Sequence, residues 1–156
     1  MLREQKGITL VALVITIIVL LILAGVTIAA LSGENGILTN ASNAQIQNAI
    51  GNAKDQVNLA ANEGIQAFYN ITYLGEQPAD TDIVLAPADY ANAGATVKKF
   101  IDVKVTGHVE GATVVASNNT GSDKNENPYI VTITTTDKTA TVSKGKITKD
   151  GAVNWE

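Results

Sequence analysis

The sequence predicts an α+β protein in which a long, hydrophobic N-terminal helix precedes a C-terminal antiparallel β-sheet. No charged residue occurs between Lys6 and Glu34, and a helical period of apolar residues begins at Thr39. The C-terminal third instead alternates Val and Ile with Thr, as a half-buried sheet does. We expect the sheet to fold onto the outer half of the helix. The predicted segments are a leader (1–7), the hydrophobic helix (8–31), a loop with an amphipathic helix (32–70) and the β-sheet domain (71–156).

The apolar run from Ile8 to Leu31 is long enough to cross a membrane. Its 24 residues reach about 36 Å as a helix, against a hydrocarbon core of about 30 Å. A cleaved secretory signal has an apolar core of only about 7–15 residues. Arg3 and Lys6 precede the run, so the positive-inside rule leaves the first residues in the cytoplasm and the bulk outside. A plain one-span membrane anchor is the simplest interpretation.

Composition excludes several classes of function. The 156 residues include no Cys and a single His, His108, and the formal net charge is −4. Disulfides, thiolate metal sites and attached haem are therefore excluded, and one His alone cannot build a zinc site. The acidic outer part argues against nucleic acid as a partner. We expect no enzyme and no cofactor, because neither a catalytic triad nor a Gly-rich phosphate loop is recognisable.

The residues at the junction between the leader and the apolar run resemble a known family motif. A short charged leader ends in Gly7, and Ile8-Thr9-Leu10-Val11 begins the helix at once. This resembles the type IV pilin family, with its prepilin-type N-terminal methylation motif. The resemblance implies cleavage after Gly7 by a prepilin peptidase and methylation of the Ile8 amine. A signal peptidase substrate, by contrast, has its cleavage site after the apolar run.

The resemblance also implies a structural role and a set of partners. The helix would first be a transmembrane anchor in the cell membrane and later the core of an extracellular surface filament, with adhesion among its roles. The filament is a helical homopolymer of the chain itself. Its assembly involves an assembly ATPase and a membrane platform protein. The expected assembly residues are Ile8, Thr9, Leu10, Ala12 and Gly25.

Two of these positions have a further meaning. The fifth mature residue of the family is normally Glu, proposed to pair with a neighbour's N-terminal amine, and Ala12 stands there in this chain. Gly25 is the one helix-weakening residue inside the span. It marks either a place where the helix loosens in a filament or close packing between helices.

Three functions follow from this pattern. The first is the major subunit of a type IV pilus-like filament, favoured by a plain outer domain. The second is a minor pilin or pseudopilin, at a fibre tip or in a secretion or DNA-uptake system, which the missing acid at Ala12 supports. The third is a single-span, membrane-anchored binding module that forms no polymer.

The apolar span is followed by a helix breaker and a second helix. Residues 32–36 contain two Gly and an Asn, which predict a kink or short loop. Thr39, Asn40 or Ser42 could each cap the next helix. That helix should fade over residues 70–75, and its amide-rich face suits either sister helices or solvent. Its apolar stripe consists of Ile46, Ile50, Ala53, Val57, Ala60, Ile65 and Phe68.

Strand patterns fill the remainder of the chain. After a loop at 75–80, an irregular stretch at 87–94 has room for a helical turn at 88–92, and Ser117–Pro128 forms a polar loop. Turns at Glu110-Gly111, Asp137-Lys138, Lys144-Gly145 and Asp150-Gly151 separate the later strands. Phe100, Tyr129 and Trp155 are predicted core residues. The predicted strands are 83–85, 97–109, 112–116, 129–136, 139–143, 146–148 and 152–155.

Two kinds of local motif bear on binding or modification: an acidic loop and three Asn-x-Ser/Thr triplets. Residues 123–128 place oxygen ligands at alternate positions, as a calcium loop does, but Pro128 stands where the motif needs Gly. A solvated loop without metal is the favoured interpretation. Asn40, Asn70 and Asn118 each begin an Asn-x-Ser/Thr triplet, and Asn118 is the expected exposed glycosylation site. His108 is predicted to be a surface residue.

Overall fold

The structure is a computed structural model that describes residues 4–33, 36–137 and 140–156, with only the backbone described for residues 4–8. The chain divides into two compact units, one up to Gln45 and the other Ile46–Glu156. It contains a long apolar N-terminal helix and a four-stranded antiparallel sheet. The predicted α+β class is therefore confirmed at this level.

The first unit consists of α1, Glu4–Ser32, and the start of α2, Ile37–Tyr69. The predicted break between the helices is confirmed, although Glu34 and Asn35 lie outside the described residues. Gly36 lies against the preceding helix, where a Cβ would come within 2.4 Å of the Leu31 carbonyl oxygen. The backbone can turn this tightly because the residue has no side chain.

The predicted N-caps of α2 are wrong. Thr39, Asn40 and Ser42 lie inside the helix, which begins at Ile37. The Thr39 hydroxyl instead donates a hydrogen bond to the Gly33 carbonyl oxygen at 3.1 Å. Thr39 therefore binds a carbonyl group before the helix rather than capping an N–H group of its first turn.

In the second unit, the apolar stripe of α2 is mostly buried. Ile50, Ala53, Val57 and Ala60 are buried, while Ile46, Ile65 and Phe68 are half-buried. The predicted fading of the helix is confirmed. After Tyr69 the backbone widens into a π-helical turn over Asn70–Leu74, and Gly75 ends it in the left-handed conformation at φ 73°.

The predicted long strand over residues 97–109 is wrong, because Ala93–Lys104 forms helix α3. The Asn92 side chain caps this helix by accepting a hydrogen bond from the Ala95 N–H at 2.9 Å. Val97, Phe100 and Ile101 are buried on one helical face. Their spacing of three and four residues is a helical period that β-branched composition disguised. The expected helical turn just before it is a 3₁₀ helix, Pro87–Tyr90.

The sheet is an antiparallel meander of consecutive strands. Strand Tyr129–Thr135 matches its prediction closely, and the first strand extends two residues past the predicted Ala116. Part of the predicted turn at Asp137-Lys138 lies outside the described residues, which end at Asp137 and resume at Ala140. The strands are β1 (Ala112–Asn118), β2 (Tyr129–Thr135), β3 (Val142–Ile147) and β4 (Val153–Trp155).

Lys144-Gly145 does not separate two strands as predicted, because β3 continues through it. The Trp155 ring of β4 lies over Gly145, where a Cβ would come within 2.9 Å of Cε3. Gly145 is therefore needed for the close approach of the ring and does not form a turn. The turn at residues 150–151 leads into β4 as predicted, with Gly151 at φ 92°.

One hydrophobic core occupies the second unit. It includes buried residues of α2, α3 and the sheet, for example Val57, Phe100 and Ile133. Gly64 of α2 allows α3 to come close, since a Cβ there would be 2.9 Å from the Val97 Cα. Phe100 is buried as predicted, and Tyr129 and Trp155 are half-buried against the core.

Residues 83–85 form no strand, which corrects the prediction. Both backbone polar groups of Leu85 bind the Gln77 side-chain amide, each at 3.0 Å. The amide group takes the place of a neighbouring strand. Ile83 and Leu85 are nevertheless buried in the core, so the apolar pattern indicated burial correctly and pairing incorrectly.

Candidate functional site

The candidate functional site is the stretch of α1 over residues 9–31, because its surface is apolar on all sides. Every side chain from Thr9 to Leu31 is exposed within the structure, including Leu10 at 64% and Val19 at 47%. A solvated surface helix normally confines its apolar side chains to one stripe. A helix with this surface needs an apolar environment, either lipid or other helices.

The two described hydroxyl groups in the middle of α1 are satisfied within the helix. The Thr16 hydroxyl lies 2.9 Å from the Ala12 carbonyl oxygen and 2.8 Å from that of Leu13. The Thr27 hydroxyl donates to the Leu23 carbonyl oxygen at 2.7 Å. In lipid an unsatisfied polar group is costly, so these bonds let both Thr residues lie in an apolar environment.

The length and composition of α1 also suit an apolar environment. The 29 residues of α1 extend over about 44 Å. In the described part of the chain there is one helix long and apolar enough to cross a membrane.

The predicted processing and assembly residues lie along α1. The backbone of Gly7 and Ile8 is helical, and the Ile8 side chain lies outside the described part of the chain. Thr9, Leu10 and Ala12 follow on the exposed surface. Gly25 lies within the continuous helix, so α1 is unbroken at this position. Beyond the adjoining turns of the helix backbone, no atom lies within 4 Å of a Cβ built there.

The suspected calcium loop is organised by hydrogen bonds around Asp123. Its carboxylate accepts a hydrogen bond from the Asn119 side-chain amide at 2.9 Å and one from that of Asn127 at 3.2 Å. The Lys146 ammonium lies 3.1 Å from the same carboxylate. Among the described residues, no three His, Asp or Glu side chains are grouped as a metal ion would require. The loop thus uses its acid for internal structure.

These contacts lower the pKa of Asp123. The hydrogen bond from Asn119, followed by the one from Lys146, lowers the pKa of the Asp123 carboxyl from 3.8 to about 2. The Lys146 ammonium also lies 2.6 Å from the Glu156 carboxylate. This second contact is the main cause of the raised pKa of Lys146. This arrangement holds the loop and the C-terminus to β3.

A second charge cluster was not predicted from the sequence. The Lys104 ammonium lies 2.5 Å from the Glu63 carboxylate and 3.1 Å from that of Asp80. The bond to Glu63 is the main cause of the raised pKa of Lys104. For Asp80, the N–H of Asp82 is the main cause of a lowered pKa, followed by Lys104. The three residues are far apart in sequence, so no local pattern could have revealed the cluster.

The remaining predicted surface residues are exposed. Asn118 is the last residue of β1 rather than a loop residue, and it is accessible, as are Asn40 and Asn70. His108 is exposed beside a shallow depression that Asp55 and Glu110 also line. No shared arrangement of nucleophile and base accompanies it in the described residues.

Sequence reasoning also missed an exposed aromatic group at the end of α2. Tyr69 and Tyr73 stack with ring centroids 5.9 Å apart, and Phe68 meets Tyr69 edge-on at 5.6 Å. Tyr69 and Tyr73 are four residues apart, so their rings lie on one side of the helical backbone.

Comparison of the chain with protein-family models, curated proteins and solved structures found no match.

Proposed function

We propose that the chain is a structural subunit that polymerises through α1 into a type IV pilus-like filament on the cell surface. The observation that carries the proposal is the all-round apolar surface of residues 9–31 of α1, which follow a charged leader that ends in Gly7. A simple membrane anchor explains the surface of the helix. The leader motif is what favours a processed filament subunit over an anchor.

In this proposal the mechanism is assembly rather than chemistry. A prepilin peptidase cuts after Gly7, and the part of α1 that begins at Ile8 then holds the subunit in the membrane. A platform protein and an assembly ATPase move it into a bundle of identical helices. Lipid is as apolar as Leu, so the exchange is driven by close side-chain packing rather than by a further hydrophobic gain. The sheet domain, packed on the outer half of the N-terminal helix, forms the outer wall.

The contacts between subunits are heterologous in this arrangement. Each subunit presents one surface to the copy before it and a different surface to the copy after it. Heterologous contacts form a ring when the rotation between neighbours closes and a helical polymer when it does not, and the proposed filament is the second case.

A minor or tip subunit of the same system is the second candidate. The observation that favours it is Ala12, which stands where the family has a docking Glu. A subunit at a tip contacts fewer neighbours and has less need of that contact.

Fractionation of cells, with imaging of sheared filaments, tests the proposal. Abundant protein in sheared fibres, with mass spectrometry placing a methylated Ile8 at the first position, is the expected result. Trace amounts in the fibres would favour the minor subunit. Protein found in membranes alone would favour the single-span anchor and contradict the proposal.

A further inference from the structure

Strand β1 is an edge of the sheet, since among the described residues β2 is the one strand that pairs with it. Two contacts establish which of its backbone groups face β2. The Thr136 N–H donates to the Gly111 carbonyl oxygen at 3.1 Å, and the Asn119 N–H donates to the Pro128 carbonyl oxygen at 2.8 Å. Hydrogen-bonded pairs alternate with non-bonded pairs along an antiparallel ladder. Odd-numbered residues of β1 therefore bond to β2.

The even-numbered residues consequently point their N–H and C=O groups away from the sheet. In the described part of the chain, no hydrogen bond occupies these groups. This outward row is called the β1 edge below. It consists of the N–H and C=O groups of Ala112, Val114, Ala116 and Asn118.

The β1 edge lacks the features that normally protect an edge strand. The seven residues of β1 include no charged residue, no Pro and no Gly, and these are the residues that commonly discourage pairing at an edge. On its solvent face, the central Val115 is 48% exposed. The opposite edge, β4, is only three residues long, and the Glu156 that follows it pairs with Lys146. The β1 edge is therefore the side of the sheet open to another strand.

We propose that β1 of one copy pairs antiparallel with β1 of a second copy, about a two-fold axis that passes at Val115. In this register Ala112 lies opposite Asn118 of the second copy, and Val114 lies opposite Ala116. Every outward N–H and C=O group of the strand then has a partner. Val115 lies opposite Val115 of the second copy, so each covers the other's exposed apolar surface.

In other registers, or against the other edge of the sheet, more of the outward N–H and C=O groups of β1 lack a partner. A shift by two residues leaves an outward residue at each end unpaired. Pairing with β4 of a second copy is poorer still, because the β3–β4 bonds leave just Val153 and Trp155 of that strand pointing outward. Charge also permits the two-fold register, since Glu110 falls opposite the uncharged Thr120.

The contact is separate from the proposed polymer. A two-fold contact uses the same patch on both copies and closes on itself, whereas the proposed filament needs contacts that do not close. It would therefore join subunits in pairs, or two filaments side by side. It does not depend on processing at Gly7 or on α1 packing.

Single-cysteine cross-linking tests the register, because the chain has no Cys of its own. Val115→Cys is made in the full chain, which is purified in detergent micelles and oxidised. Non-hydrogen-bonded antiparallel pairs have Cα atoms about 4.5 Å apart, within the range of about 4.4–6.8 Å that a disulfide needs. We expect a disulfide-linked dimer on non-reducing gels.

Thr113→Cys is the matched control, since it lies on the same exposed face. Two copies of residue 113 would be four residues apart along the paired strands, or about 14 Å, which is too far for a disulfide. Thr113→Cys alone should give no dimer. Mixed with Ser117→Cys chains it should give one, because residues 113 and 117 face each other in this register.

Ala116→Pro, added to Val115→Cys, removes an outward N–H while leaving the bonds to β2 intact. We expect loss of the dimer with an unchanged circular dichroism spectrum. Three results would overturn the proposal: equal dimer from Val115→Cys and Thr113→Cys, a dimer that survives Ala116→Pro, or a mixed disulfide in cells between Val115→Cys and a different protein.

Discussion

A lysine in the middle of α1 separates membrane insertion from filament assembly. Val19 is at the centre of the apolar run, exposed and far from either end. In Val19→Lys the ammonium has no acidic partner along the helix, because residues 8–33 contain none. We expect the variant protein to insert in the membrane and to form no filaments.

The free energies involved show why the lysine should permit membrane insertion but prevent filament assembly. A central Lys opposes insertion by about 2.5–3.5 kcal/mol on translocon scales, whereas Leu, Ile and Val each favour it by about 0.3–0.6 kcal/mol. The run has 15 other Leu, Ile and Val residues, which together favour insertion by about 5–9 kcal/mol. Insertion therefore survives. In a bundle, each subunit would bury an unpaired charge at several kcal/mol, close to the same charge on its neighbours.

The assay compares the amount of protein in washed membranes with the amount in sheared fibres. Leu31→Lys is the matched control, because a Lys at the end of the run can extend its ammonium to the membrane surface. It should assemble better than Val19→Lys at equal membrane levels. Normal fibre yield from Val19→Lys would refute the reasoning that α1 is buried in a filament core.

Four other substitutions have defined outcomes. Gly7→Leu should leave an uncut precursor in the membrane, because a bulky side chain hinders the peptidase, and protein of mature length would contradict this. Ala12→Glu should give fewer or shorter fibres by burying a carboxylate, whereas a higher yield would favour the minor-subunit function. Phe100→Ala, at a position 3% exposed, should lower the free energy of unfolding by about 3–5 kcal/mol in chemical denaturation; a loss under about 1 kcal/mol would contradict its core role. Asp123 stabilises the fold fully above its unfolded pKa of 3.8, and this contribution should fall as the pH approaches 2. Asp123→Asn should remove that part of the pH dependence of thermal unfolding, and an unchanged acid slope would contradict the assigned pKa.

Long, simple patterns in the sequence were sufficient to predict α1 and β2. A continuous apolar run of 24 residues predicts a long helix, and the run of Ile, Val and Thr after Tyr129 predicts a strand. α3 was missed because its Val, Thr and Phe residues favour strands, while the Asn92 cap and the buried face of Phe100 favour a helix. Tertiary packing outweighed local preference there.

Contacts between residues far apart in the chain could not be predicted from a single sequence. The Gln77 amide replaces a strand partner for Leu85, and Lys104 meets Glu63 across 41 positions. Trp155 lies over Gly145, which reads locally as a turn. Each of these depends on where the fold brings two segments together, and neither segment alone carries the signal.

The surface of α1 limits what it can contribute to an ordered polymer. In the proposed filament, Ala12 supplies no acid, and the Thr16 and Thr27 hydroxyl groups already donate to carbonyl oxygens of their own helix. The remaining side chains between them are apolar, and many of their sliding arrangements have similar energies because dispersion contacts are non-directional. α1 can therefore hold subunits together while specifying their register only weakly. The information that fixes the register must then come largely from polar surfaces of the second unit, where hydrogen bonds and charges have direction.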